Sequence, residues 1–444
     1  MAIAVERDMH IAQIDVTTAY LNGVMDTDVY MEKPEMLTQM IKRIISVESD
    51  SILIGKAKRM LRQLNEGDKV CKLNKSLYGL RQSGRLWHTK LTSTLKGFGL
   101  IPTAADPCVY HDKDNNILLL IYVDDILITS RDTHAIQELK KKLSDAFMIK
   151  DLGDVKYCLG IEVTRDREGI HLSQASYIRD VLNKFKMSDC KPVRTPMETG
   201  IKLHSVQDDT ATNDPEIPYK ELVGSLMYIA QGTRPDIAYA VSALSQFNSC
   251  YTMAHWSCAK RVLRYLKGTL DHGLTFTKSG KNLTGYVDAD WGNCSLDRRS
   301  YTGTAFLLAN AAISWEAKKQ RTVALSSTEA EYTALSEAAR EAIYLSGFLK
   351  EVGMTSFAKV LLHNDNQSAG KLAVNPVYHS RSKHIDIKCH FIRQAFTEHE
   401  IELTYTPTEE MRADVLTKAL PSAKHHFCVD GIGIKVIDIS RIRI

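Results

Sequence analysis

Apolar and polar positions along this chain follow two periods, one of two residues and one near 3.6. Between Ile117 and Ser130 the sequence ILLLIYVDDILITS sets two short apolar runs, 117–121 and 126–128, around Tyr122-Val123-Asp124-Asp125. Both runs are far too short to span a bilayer, and they predict a β-hairpin with buried strands and acids at a tight tip. His10–Val16 alternates, with Ile11, Gln13 and Asp15 on one face and Ala12, Ile14 and Val16 on the other, which predicts a half-buried strand. The helical period governs 255–270, where Trp256, Ala259, Leu263 and Leu266 share one face and Lys260, Arg264 and Lys267 another. Residues 188–218 carry prolines at 192, 196, 215 and 218 and read as a linker. Beyond it, strands are expected at 285–288 and 303–308, with a third ribbon from 312–315 and 322–325. A helix follows from 327 to about 349, then the apolar strand 360–363, helices near 367 and through 384–396, the strand Ile401–Tyr405 and a helix from 413.

With 444 residues, 44% of them apolar, the chain has material for two or three domains of mixed α/β and α+β architecture. A net charge of +4 permits a nucleic-acid partner without requiring one. Nine cysteines form no CxxC pair, so reduced thiols are expected in place of a disulfide framework or zinc site. His379, His384, Cys389 and His390 fit no ordinary zinc spacing either. The start, MAIAVERDMHIAQID, has no secretory core, and no apolar run approaches about 18 residues. A soluble protein of the cytoplasm or nucleus, with no membrane partner, is the expectation.

Carboxylates set against apolar strands are costly unless a cation neutralises them, and oxygen-only ligands suit Mg²⁺. Asp124 and Asp125 are such a pair. In the C-terminal half, three strands, helix, strand, helices, strand and helix is the order of an RNase H-like domain. Acids fall where that fold converges. Asp288 ends the first strand, with Asp290 the weaker alternative on the same face; Glu331 joins the stripe 331, 335, 338, 342 and 345, while Glu329, Thr333 and Arg340 lie on other faces. Asp365 follows the strand 360–363, and Asp414 opens the last helix.

Several of these stretches carry a resemblance. QIDVTTAYLNG around Asp15, LYGLRQS at 77–83, DPCVY at 106–110, YVDD at 122–125 and LGDVKYCLGIE at 152–162 resemble, in this order, the reverse transcriptases of Ty1/copia-type LTR retrotransposons. YVDADW, SSTEAEYTAL, HNDNQSA and RADVLTKAL resemble the RNase H motifs of the same Pol polyproteins, so the likeness covers nearly the whole chain. It implies a reverse-transcriptase palm at 1–187, a linker and connection region at 188–279, an RNase H-like domain at 280–421 and a tail at 422–444. Asp15, Asp124 and Asp125 would be the polymerase metal ligands, Tyr20 would sit beneath the nucleotide sugar and exclude its 2′-OH, and Gln82 would lie beside the nucleotide. Asp288, Glu331, Asp365 and Asp414 would be the nuclease ligands. Two Mg²⁺ per site, with Mn²⁺ as a substitute, would serve RNA-directed DNA polymerase and RNase H chemistry. Implied partners are RNA template, DNA primer, RNA–DNA hybrid, dNTPs and other Gag and Pol products in a virus-like particle. Between two such enzymes, Lys260, Arg264 and Lys267 become phosphate contacts, and SKHID places His384 near substrate. The chain departs from the family pattern twice. Only 14 residues precede Asp15, where a fingers region that grips the triphosphate is usual, which predicts a weak polymerase half. The stretch 34–69, with Lys42, Arg43, Lys56, Lys58 and Arg59, is longer and more charged than usual and reads as a solvent-facing insertion. Two alternatives stay open: a nuclease with an inactive palm, and a non-catalytic nucleic-acid-binding remnant.

Overall fold

The structure, a computed structural model, describes residues 1–66, 70–201, 203, 216–294, 296–374, 386–398 and 401–437. His379, His384 and residues 202 and 204–215 of the 188–218 linker therefore lie outside the described residues.

After a short helix α1 (Ala2–Glu6), the strand β1 (His10–Val16) enters a six-stranded antiparallel sheet. A small ribbon, β2 (Tyr30–Met31) with β3 (Cys71–Lys72), carries helices α2 (Leu37–Val47) and α3 (Ser51–Asn65). Only Ile41 and Ala57 are buried in these two helices, as a solvent-facing insertion requires. Helix α4 (Ser83–Gly97) leads to β4 (Ile101–Pro102), β5 (Val109–His111), β6 (Ile117–Tyr122) and β7 (Asp125–Ser130), then α5 (Thr133–Ala146) and β8 (Ile149–Asp154). The order β4-β5-β6-β7-β1-β8 puts β1 between the expected hairpin and β8. Ile14, Leu119, Ile126 and Ile128 pack against Trp87, Leu91 and Leu95 of α4 and Ile136, Leu139 and Leu143 of α5. The half-buried expectation for β1 falls short: Ile11 and Gln13, on the second face, are buried as well, because Ala4, Val5 and Met9 close over that side. Asp15 alone keeps that face partly open.

A second sheet gathers distant parts of the chain. Strands β9 (Tyr157–Cys158), β10 (Ile161–Arg165) and β11 (Ile170–Ser173) pair onward with β12 (His272–Phe276) and, at the far edge, β18 (Ile434–Val436). Between them α6 (Ala175–Lys184), α7 (Tyr219–Gly232), α8 (Ala238–Ser245) and α9 (Met253–Gly268) bury a separate core that includes Leu222, Leu226, Leu244 and Leu263. The Trp256 face of α9 turns inward as its period predicts. Its basic face is partly covered by the chain's own 191–198 segment: Arg264 donates to the Lys191 carbonyl, and Arg261 pairs with Glu198.

The third sheet has the order β15-β14-β13-β16-β17, from β13 (Leu283–Asp290), β14 (Tyr301–Leu308), β15 (Ala311–Lys319), β16 (Val360–Asn364) and β17 (Ile401–Tyr405). The first three are antiparallel, and β16 pairs in parallel with β13 and β17. The long helix α10 (Ser327–Glu351) lies against β13 and β14 through small residues, Ala330, Ala334, Ala338 and Ala342. That close approach buries Thr333 too, so the faces of α10 are not distinguished over its first turns. Helices α11 (Gln367–Val374) and α12 (Asp386–Glu398) precede β17, and α13 (Ser422–Gly431) precedes β18.

Two expected elements are corrected. Residues 322–325 add no strand to the ribbon: Val323 and Leu325 are exposed, and the segment instead caps α10, with Ser326 accepting from the Glu329 amide and Glu329 accepting from Leu325. The helix expected from 413 is a single 3₁₀ turn, Ala413–Leu416, whose residues are all buried, so its apolar run reports an inward-folded turn rather than a helix face. Among the described residues, no helix is long and apolar enough to cross a membrane.

Candidate active sites

The hairpin turn of the palm is built to present its acids. Val123 adopts a left-handed φ of 58°, and Trp87 Nε1 donates to its carbonyl at 2.7 Å. A β-branched residue is strained in that region, so the Trp87 bond and the β1 contact Val16 N–H to Asp124 carbonyl, 2.9 Å, hold the turn in place. Asp124 occupies the turn and Asp125 begins β7, directly opposite Asp15 on β1. Gln13 Nε2 donates to Asp125 Oδ1 at 3.2 Å, so the strand face shared by Gln13 and Asp15 also receives Asp125. Burial and the charges of Asp124 and Asp125 push the Asp15 carboxyl above its ordinary range, with Lys150 opposing. The three acids thus share one electrostatic site.

Tyr20 stands in a 3₁₀ turn, Ala19–Asn22, whose carbonyl end is tied down by the Ser76 hydroxyl bond to Tyr20 O. Its ring lies 4.7 Å from that of Tyr78, tilted by 53°. Burial and the neighbourhood of Asp124, Tyr20 and Asp15 raise the Tyr78 phenol, which places this second tyrosine beside the carboxylates. Gln82 is half-buried at the N-terminal end of α4. Tyr78 was not singled out from the sequence, although it sits in the same LYGLRQS stretch as Gln82.

In the second site, the carboxylates of Asp288, Glu331 and Asp365 each offer an oxygen within 4.8 Å of the others. Asp288 and Glu331 are buried and Asp365 half-buried. Glu331 accepts from the Ala289 amide (3.2 Å) and from Asn364 Nδ2 (3.0 Å), which aim its two oxygens between β13 and β16. The Thr408 hydroxyl donates to Asp365 Oδ2 at 2.8 Å, and the Thr417 hydroxyl donates to Asp288 Oδ2. Burial, opposed by Lys418 and reinforced by Asp414, pushes Asp288 up to about 7. Glu331 rises well above the carboxylate range through burial and the charges of Asp288 and Asp365. Acids that resist ionisation only because they are buried together fit a divalent cation with oxygen ligands.

Asp414, the fourth expected ligand, is buried next to this cluster but is taken by lysines: Lys418 Nζ lies 2.7 Å from its Oδ1 and Lys424 Nζ 3.0 Å from its Oδ2. Lys418 also reaches Asp288 Oδ2 at 3.3 Å. Asp290 is hydrogen-bonded by the Asn293 amide and stays out of the cluster. Asn364, Thr417 and Lys418 were missed in the sequence, although the Asp414–Lys418 spacing of four is an ion-pair signal.

A family model described as reverse transcriptase (RNA-dependent DNA polymerase) matches residues 53–199, a span that includes Gln82, Asp124 and Asp125. The Retrovirus-related Pol polyprotein from transposon TNT 1-94 of Nicotiana tabacum is 39% identical over 443 residues, covering 98% of this chain and 32% of the relative. A putative transposon Ty5-1 protein of Saccharomyces cerevisiae is 31% identical over 335 residues, covering 74% of this chain and all of that protein. This chain belongs to the copia-type retrotransposon Pol polyprotein family. It spans about a third of the length of the Nicotiana tabacum relative, 32%. Among solved structures, the foamy viral protease-reverse transcriptase in complex with RNA/DNA hybrid aligns with 90% of this copia-type chain and 44% of that one, at 12% identity and a TM-score of 0.49.

Proposed function

We propose that this chain is the reverse transcriptase and RNase H portion of a copia-type Pol polyprotein. It extends a DNA primer on an RNA template with dNTPs at Asp15, Asp124 and Asp125, and it hydrolyses the RNA strand of RNA–DNA hybrids at Asp288, Glu331 and Asp365. The observation that carries the reading is the carboxylate cluster of the third sheet, whose three oxygens converge within 4.8 Å. Mg²⁺ bound there would supply charge neutralisation and activate the attacking oxygen for in-line phosphoryl transfer. The chain's own part is positioning. Asn364 and the Ala289 amide fix Glu331, Thr408 fixes Asp365, and the rigid sheet beneath holds all three at strand and helix ends. In the palm, Tyr20 acts as the sugar-facing gate, supported by its ring contact with Tyr78, which in turn feels the charges of Asp124 and Asp15. Hybrid recognition would rest on duplex shape, phosphates and 2′-OH groups, with Lys260, Arg264 and Lys267 as phosphate contacts. Work in a cytoplasmic virus-like particle and in the nucleus, beside other Gag and Pol products, belongs to the same proposal.

One observation favours a narrower second reading, a nuclease without polymerase activity: among the described residues the only acidic group close enough to hold a metal is the one in the third sheet. The test is cleavage of a labelled RNA–DNA hybrid beside extension of a primed RNA template, both in Mg²⁺. Glu331→Gln and Asp365→Asn should each lower cleavage by at least about a hundredfold, and Asp124→Asn should abolish extension while sparing cleavage. Cleavage at the wild-type rate in both amide variants would sink the nuclease assignment. Cleavage without any extension would select the narrower reading.

A further inference from the structure

We infer that Lys418 is the resident cation on one side of the nuclease site, so that this site takes one divalent ion, not the two expected of the fold. The inference rests on the reading of the Asp288–Glu331–Asp365 cluster as a metal centre. The Lys418 ammonium bridges Asp288 Oδ2 (3.3 Å) and Asp414 Oδ1 (2.7 Å), the two carboxylates that a second ion would need. Both are nearly sealed from water, at 2% side-chain exposure, so whichever cation lies between them is weakly screened. Both Asp414 oxygens lie within ion-pair distance of a lysine, Lys424 approaching the second at 3.0 Å, although Oδ1 accepts no hydrogen bond of good geometry. Lys424 is itself pinned by the carbonyls of Thr408 and Glu409 at 2.7 Å each and of Met411 at 3.2 Å.

The charge balance points the same way. Asp288, Glu331, Asp365 and Asp414 carry −4 when ionised, and Lys418 with Lys424 carries +2, leaving −2 for the site. One divalent ion closes that difference among these six groups. Asp290, bonded by Asn293 and half-buried, adds further negative charge that Lys418 and Asp414 feel. A second ion must displace the Lys418 ammonium, and Lys418, with 29% of its side chain exposed, has a path to water. Lys418 is a positioning residue on this account, holding Asp288 and Asp414 in register while the metal occupies the Glu331 side.

The experiment counts ions rather than turnover. Mn²⁺ is titrated into the full chain carrying Asp124→Asn and Asp125→Asn, which silences the palm acids, and free Mn²⁺ is read by electron paramagnetic resonance. With Lys418 present, one ion should bind that is lost on Glu331→Gln. Lys418→Met should add a second ion, or raise the affinity for it at least tenfold, while Lys418→Arg should keep the count at one. Lys424 remains to pair with Asp414 in both variants, and the count with Lys418 present decides the matter even if Lys418→Met does not fold. Two ions bound in the presence of Lys418, or a count unmoved by Lys418→Met, overturns the inference while leaving the metal centre standing. If Glu331→Gln removes no ion, the metal centre itself is wrong and the inference falls with it.

Discussion

Glu331 shows what a single residue contributes and conceals. Its carboxylate is 5% exposed and sits beside Asp288 and Asp365, so burial first and those charges second raise its pKa in the folded chain. A raised folded pKa means that the native state holds its proton more tightly than the unfolded chain does. The stability linked to it is therefore complete below the ordinary carboxylate range and is lost as pH rises through the folded value. Asp288, at about 7, sets the upper part of that window. Without metal, Tm should fall as pH rises from about 4 to about 7. Glu331→Gln removes the ionisable group and keeps the shape, at the expense of one accepted hydrogen bond, roughly 1 kcal/mol. Each unit of pH above the ordinary carboxylate range costs the buried acid about 1.4 kcal/mol, so at neutral pH the relieved charge outweighs the lost bond. The variant should melt no lower than wild type in EDTA, and the rise in Tm on adding Mg²⁺ should shrink. A variant that melts several degrees lower with an undiminished Mg²⁺ response would show that Glu331 is a structural acid.

At the scale of elements, legibility in the sequence followed local periodicity. β1, the β6–β7 hairpin, α10 and β16 lie where apolar alternation and the long amphipathic run predict them; they carry Asp15, Asp124, Asp125 and Glu331, and Asp365 directly follows β16. The elements that misled are those shaped by a neighbour. The buried turn Ala413–Leu416 looks helical in sequence because every residue faces inward. What lets it fold so close is Gly303 on β14, paired across the sheet with Asp288. A Cβ there would come within 2.6 Å of Thr417 Cγ2 and 2.9 Å of Leu416 Cβ. Nothing in the stretch Tyr301-Thr302-Gly303-Thr304 distinguishes that glycine from a mere strand weakness. Gly303→Val should push the turn off the sheet, at a cost of roughly 1–3 kcal/mol, and carry Asp414 and Lys418 away from Asp288. Thermal melting and the Mn²⁺ count check both consequences. An unchanged Tm would show that the turn is not held by this contact.

Across the whole molecule, the deciding contacts join elements far apart in sequence, such as β12 with β18 and Tyr265 with His425, and no local pattern reveals them. In the second sheet β18 returns to pair with β12, which itself pairs with β11, so segments from the palm side, the stretch after the connection helices and the C-terminal region share one sheet. Beneath it, Arg234 and Asp236 form an ion pair with no side-chain exposure. Thr269 accepts from Arg234, and Tyr265 donates to Asp236 at 2.6 Å. In sequence, Thr-Arg-Pro-Asp looks like nothing more than a helix start. His425 of α13 caps this network, its ring 5.3 Å from Tyr265 and edge-on at 88°. Burial pushes its pKa down to about 4, against the pull of Asp236. The sign is opposite to that of Glu331: the unfolded chain takes up a proton near the ordinary histidine value that the native fold refuses. Stability linked to His425 is thus present above about 6.5 and lost as pH falls towards about 4, by up to roughly 3 kcal/mol. His425→Phe keeps a ring against Tyr265 and removes the proton site. The Tm of wild type should fall more steeply than that of the variant between those two pH values, with the curves converging above the window apart from a constant offset. Curves that stay parallel through the whole window would mean that His425 is protonated in the folded chain, and that the docking of α13 on the Arg234–Asp236 pair does not depend on a neutral imidazole.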